Sequence, residues 1–112
     1  MINIRIVHKA GHLLRVQSTG HAVRAGNAVT GNSDSAPCAA VSVLLKSFGL
    51  ALVEHAGCTV TGDVPREGAF DVTCRHCDDP DWYRGVAELF ERSLKEIQMA
   101  WPDEVTVHYK EE

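Results

Sequence analysis

The chain has 112 residues, 45% of them hydrophobic, which suits one domain over residues 1–112 with a real core and leaves little room for a second. Fifteen acidic against eleven basic side chains give a formal net charge of −4. With no basic stripe, this balance argues against direct nucleic-acid binding, which draws its affinity from neutralising phosphates, and is compatible with a basic protein as substrate.

The opening residues Ile2 to Val7 alternate as a strand does, with Ile2, Ile4 and Ile6 on one face and Asn3 and Arg5 on the other. They contain no long apolar run of the kind that forms a secretory signal. Lys9-Ala10-Gly11 reads as a turn, and residues 12–19 return as a second strand carrying Leu14 and Val16 inward. His8 and His12 flank this turn and are expected to be solvated. The strand ends at Gly20-His21, and a small-residue loop with Gly26, Gly31 and Asn32 follows to Ala36.

Pro37 fits the first turn of a helix, with Asp34 or Ser35 placed to cap it. Val41, Leu44, Leu45, Phe48 and Leu52 follow helical spacing, and Val43, Leu50 and Val53 make the opposite side apolar too. The apolar stretch from 39 to 53 is interrupted by Ser42, Lys46, Ser47 and Gly49 and is shorter than a spanning helix needs. It reads as a buried helix rather than a membrane anchor. A helix apolar nearly all round needs cover on both sides, and in so small a chain a second subunit is a natural cover.

Residues 57–63 and 69–74 read as a second strand pair. Asp79-Pro80 supplies a cap and a proline at the first helical position. The helix that follows carries an apolar stripe of Val86, Leu89, Phe90, Leu94, Ile97 and Trp101, and Pro102 stops it. Residues 104–109 close the chain as a strand with Val105, Val107 and Tyr109 on one face. The predicted order is ββαββαβ: an α+β, two-layer fold with two helices on a mixed or antiparallel sheet.

Cys38 is the strongest candidate for chemistry. The backbone N–H groups in a helix's first turn are unpaired and the dipole is positive there, so a thiolate is favoured. A protonated His21 beside it would favour the thiolate further and protonate the leaving amine of a scissile peptide. The N–H groups of Cys38 or Ala39 can hold the oxyanion of a tetrahedral intermediate, and Ala39 leaves the approach open. The plain alternative is that Cys38 is a small buried hydrophobe. Ser42 falls one turn later on the same face, where its hydroxyl reaches His21 or a substrate, or bonds back to the carbonyl of Cys38. Asp34 orients His21 or, as favoured here, caps the helix.

Without a signal, Cys38, Cys58, Cys74 and Cys77 are expected as free thiols in a reducing compartment; in a secreted chain they would pair in one of three ways. Cys74-Arg75-His76-Cys77 is the rival site. It offers half of a zinc site, completed only if His55, Cys58 or His108 comes close, or a redox pair set away from the usual helix start. Packing at a strand end is the default for these residues.

Gly20-His21-Ala22, a glycine-containing loop and Cys38-Ala39-Ala40-Val41-Ser42-Val43-Leu44 resemble the ribosomal-processing cysteine protease family, Prp. Leu94-Lys95-Glu96-Ile97, Trp101-Pro102, Val105 and Val107 resemble that family's closing helix, aromatic-proline break and final strand. The resemblance implies a cytoplasmic, homodimeric cysteine endopeptidase that needs no metal or other cofactor. Its implied substrate is the precursor of a large-subunit ribosomal protein, number twenty-seven, from which a short amino-terminal extension is removed. It implies Cys38 as nucleophile and His21 as base, with Gly20, Ala22, Asp34, Ala39 and Ser42 around them. The chain differs from the family pattern in a longer interval between His21 and Cys38, and in carrying its aspartate at position 34 rather than 35. The alternative from another class is a non-catalytic dimeric module that binds a peptide or a ribosomal component in the same groove.

Overall fold

The computed structural model describes residues 1–20, 36–66 and 69–112, with side chains of 63–69 outside the description. Its elements are β1 (Ile2–Lys9), β2 (His12–Thr19), α1 (Ala36–Glu54), β3 (Cys58–Arg66), β4 (Ala69–Cys77), α2 (Pro80–Ala100) and β5 (Val105–Glu111). The order ββαββαβ is the one predicted. The five strands form one sheet in the order β3-β4-β2-β1-β5. β1 and β5 are parallel and every other pair is antiparallel, so the sheet is mixed.

These pairings fix the direction of each helix. β2 and β3 run the same way with β4 between them, so α1 crosses over β4 and travels against both. β4 and β5 likewise run the same way, and α2 crosses back over β2 and β1 to join them. Both helices pack on one face of the sheet. The core between the layers holds Ile2, Ile4, Ile6, Val16, Phe70, Val72 and Val105 from the strands. It is filled from the helices by Val41, Leu45, Phe48, Leu52, Tyr83, Ala87, Phe90 and Leu94. The rings of Phe48 and Phe90 stack with centroids 4.2 Å apart where the two helices meet. On the other face, Arg15 of β2 donates two hydrogen bonds to Asp71 of β4, at 2.9 and 2.7 Å. The guanidinium holds the Asp71 carboxyl below its usual range.

Two bulges set the side-chain pattern at one end of the sheet. Val7 pairs with Arg15 and His8 with Leu13, so Leu14 has no partner in β1. The extra residue resets the alternation, and Leu13 and Val16 are buried where Leu14 and Val16 had been expected. His8 turns to the helix layer and its Nε2 lies 3.0 Å from Glu91 of α2, so it is half-buried rather than solvated. The Tyr83 hydroxyl donates to the Leu13 carbonyl at this irregularity. In β4, Thr59 pairs with His76 and Val60 with Cys74, leaving Arg75 as the extra residue.

The helices depart from prediction in detail. Asp79 caps α2 and Pro80 opens it, as the Asp-Pro signal indicated. The buried stripe is Tyr83, Ala87, Phe90 and Leu94, whereas Leu89 is 69% exposed. Tyr109, at the far edge, is also half exposed. Strands β3 and β4 run three residues beyond the predicted ends, to Arg66 and Cys77: the bulge at Arg75 lets β4 pair on past Cys74, and at the other end a second shift after Asp63 lets Arg66 pair with Ala69. Helix α1 is long and apolar enough to cross a membrane by length and composition. Here Pro37, Val41, Leu45, Phe48 and Leu52 are buried, while Val43, Leu50 and Val53 stay exposed.

Gly62 in β3 has φ +140°, and a Cβ there would lie 2.0 Å from the Asp71 carbonyl oxygen of β4. Gly62→Ala is therefore expected to cost more than about 2 kcal/mol, read as a lowered urea midpoint. Tyr83→Phe is expected to cost about 1–2 kcal/mol in the same measurement, because the buried Leu13 carbonyl loses its side-chain donor.

Candidate active site

Cys38 is the third residue of α1. Pro37 before it is buried and Ala39 after it is exposed, so the thiol sits half-buried at the boundary between core and surface. Ser42 is exposed one turn further along. The first turn of α1 carries no acidic residue, whereas α2 has Asp79 at its cap and Asp81 in its first turn. Within the first turn of α1, then, no side-chain carboxylate stands beside Cys38 at the positive end of the helix dipole.

The chain leaves β2 at Gly20, whose φ of +79° belongs to the left-handed region. A Cβ on this residue would lie 2.7 Å from the Met1 carbonyl oxygen. Only glycine combines that backbone turn with so close an approach to the first strand.

The topology brings these two features to one end of the molecule. Thr19 pairs with Asn3 and Ala69, so β2 ends where β1 and β4 begin. Arg66 pairs with Ala69 at that same end. α1 enters β3 through the short turn 55–57 and runs against it, which puts the amino end of α1 beside the carboxyl end of β3. Cys38 and Gly20 thus share an end of the sheet. His21, Ala22, Asp34 and the small-residue loop lie outside the described residues, while Gly20, Cys38, Ala39 and Ser42 lie within them.

The rival cysteines gather at the opposite end. Cys58 and Cys77 are register partners, with their sulfurs 2.9 Å apart, and Cys74 is buried close by. His76 turns outward to Asp78 at 2.8 Å, and His55 stacks on Trp82. His108 lies on β5, separated from β4 by two strands. Among the described residues, no three His, Cys, Asp or Glu side chains are arranged to hold a metal ion. The zinc tetrahedron considered from the sequence is not assembled: His76 and His108 point or lie away, and the thiols face one another.

The pairing of Cys58 with Cys77 was missed from the sequence. In a regular strand, residues 74 and 77 face opposite ways, and only the bulge at Arg75 puts both on the helix side. Arg75, exposed and unpaired between the two strand cysteines, carries no local signal of the bulge.

Comparison with known proteins bears on the whole chain. The profile of the family described as "Cysteine protease Prp" matches residues 1–106. No curated protein matches. A solved structure of SMU.848 from Streptococcus mutans superimposes with a TM-score of 0.73 at 24% identity, covering 100% of this chain and 99% of that one. The essential ribosomal processing protease Prp from S. aureus, solved with a covalently linked product peptide, gives a TM-score of 0.78 at 19% identity, covering 98% of this chain and 100% of that one. The same S. aureus protease with a substrate peptide gives 0.74 at 18% identity and equal coverage. At these identities the structures speak to the shared fold, and the profile match speaks to descent: the chain belongs to the Prp cysteine protease family.

Proposed function

We propose that this protein is a cysteine endopeptidase in which Cys38 attacks the scissile carbonyl and His21 serves as base and then acid. The observation that carries the reading is the position of Cys38, half-buried in the first turn of a helix with no acidic residue in that turn, at the end of the sheet where Gly20 delivers the chain to His21. In the reaction His21 accepts the thiol proton, and the thiolate adds to the peptide carbonyl. The N–H groups of Cys38 or Ala39 stabilise the oxyanion, and His21 returns the proton to the leaving amine. Water then hydrolyses the thioester and restores the thiol. Ala22, Ser42 and Asp34 are assigned supporting roles, Asp34 as the helix cap.

The substrate assigned to this chemistry is the precursor of large-subunit ribosomal protein twenty-seven, cut to remove its short amino-terminal extension. Membership of the Prp family supports it, as does a net charge of −4 facing a basic ribosomal protein. The work is assigned to the cytoplasm and needs no cofactor. A homodimer is the proposed working form. Val43, Leu50 and Val53 support this, as apolar residues left exposed along one side of α1.

The deciding experiment follows cleavage of a synthetic peptide spanning the extension and the mature amino terminus, using purified full-length protein. Cys38→Ala is expected to lower kcat/KM by more than about a thousandfold while leaving the circular dichroism spectrum unchanged. Full activity of Cys38→Ala overturns the nucleophile assignment. Wild-type protein that binds the peptide without cutting it supports the non-catalytic module instead.

Gly20→Ala is expected to lower kcat/KM by about tenfold or more, with a smaller loss of stability. The added methyl must push the segment leading to His21 away from Met1, and positioning errors of about an ångström carry rate penalties of this order. An unchanged rate would show that the backbone turn at Gly20 does not position the base.

A further inference from the structure

The cysteines at the end of the sheet remote from Cys38 have no part in the peptidase reading. Cys58 opens β3 just after the turn from α1, and Cys77 closes β4 just before α2. They face each other across the edge of the sheet in direct register. The Asp78 N–H donates to the Gly57 carbonyl at 2.8 Å, which makes Gly57 and Asp78 the hydrogen-bonded pair. Cys58 and Cys77 therefore occupy the adjacent non-hydrogen-bonded position, where opposed residues of an antiparallel pair come closest. Their sulfurs lie 2.9 Å apart as free thiols.

The two thiols differ in access. Cys77 lines a groove of about 460 Å³ that also takes in Lys9, His12, Arg75, His76 and Tyr83. Its cationic side chains suit a small anionic ligand. Cys58, half-buried like Cys77, does not line this groove. Burial, with the contact to Cys77 adding to it, pushes the Cys58 thiol up to about 12. A thiol kept protonated in this way stabilises no thiolate in the reduced protein, which leaves the disulfide unopposed at equilibrium, while the resolving attack runs through the small ionised fraction of Cys58.

We propose that Cys58 and Cys77 form a reversible disulfide on reaction with a small anionic disulfide that enters the groove beside Cys77. The Cys77 thiolate attacks one sulfur of the small disulfide, forming a mixed disulfide and expelling one small thiolate. Cys58 loses its proton to solvent and attacks the Cys77 sulfur, expelling the second small thiolate. The protein thiols give up two electrons and two protons, and the small disulfide is reduced to two thiols. The bond clamps edge strand β3 to β4 and joins the end of α1 to the start of α2. Cys74 also borders the groove but is buried, and its sulfur donates to the His76 carbonyl at 3.6 Å, which leaves the more exposed Cys77 as the entry point. This device stands on its own geometry and does not depend on the peptidase assignment.

The test incubates the full-length protein, and its Cys38→Ala form, with oxidised glutathione and maps disulfides by mass spectrometry. The expected product has lost two hydrogens, links the peptides of Cys58 and Cys77, leaves Cys74 free, and reverts with dithiothreitol. Its Tm is expected to exceed that of the reduced protein by about 5 °C or more. Cys58→Ser is expected to retain one glutathione on Cys77, and Cys74→Ser to form the bond as the parent does. Failure of the parent to link 58 to 77, a product in which Cys74 is the partner, or Cys58→Ser without an adduct at Cys77 would overturn the proposal.

Discussion

The stacked rings of Phe48 and Phe90 hold the layers of this fold in place, because they are where the two crossover helices lock over the sheet. A sheet with one apolar face must have that face covered along its full width. Among the described residues, two helices serve five strands. α1 covers the β3–β4 side and α2 reaches across to β5, and the ring pair closes the seam between them. Fixing that seam fixes the direction and depth of α1, and with it the height at which Cys38 leaves the core.

Much of this plan was legible in the residues. Ile2, Ile4 and Ile6 gave the inner face of β1 because nothing interrupts their alternation before Val7. Asp79-Pro80 marked the start of α2 because a side-chain acceptor followed by a residue without an N–H has few other uses. The errors fall where a strand changes phase. Leu14 and Arg75 are insertions into regular alternation, and nothing in either side chain announces that it will go unpaired. A single slip of this kind reverses the inward and outward assignments on one side of it relative to the other, which is why Leu13 took the place of Leu14 while Val16 kept its own, and why Cys74 and Cys77 share a face. Leu89 was misplaced for another reason: spacing alone cannot say where around a helix the buried arc is centred.

The candidate site shows the same division. Cys38 could be found from composition and helix position, since both are local properties. What local reading cannot supply is that Gly20 and Cys38, far apart in sequence, lie at one end of the sheet. That follows from strand order, and strand order follows from long-range pairings such as Thr19 with Ala69. The two cysteine groups also separate cleanly by environment. One thiol lies at the positive end of a helix, and the others are packed against each other and a tyrosine, with burial raising both Cys58 and Cys74. The first thiol stands alone at a helix end, and the second setting makes a dithiol.

The contact between the Met1 carbonyl and Gly20 has a practical side. Any residues fused ahead of Met1 emerge beside Gly20, at the end of the sheet that also carries Cys38. Glu112, by contrast, hydrogen-bonds to the His8 carbonyl at the opposite end of the sheet. An affinity handle or fluorophore attached there stays clear of the end that carries Gly20 and Cys38, so the choice of terminus decides whether a tag crowds that end.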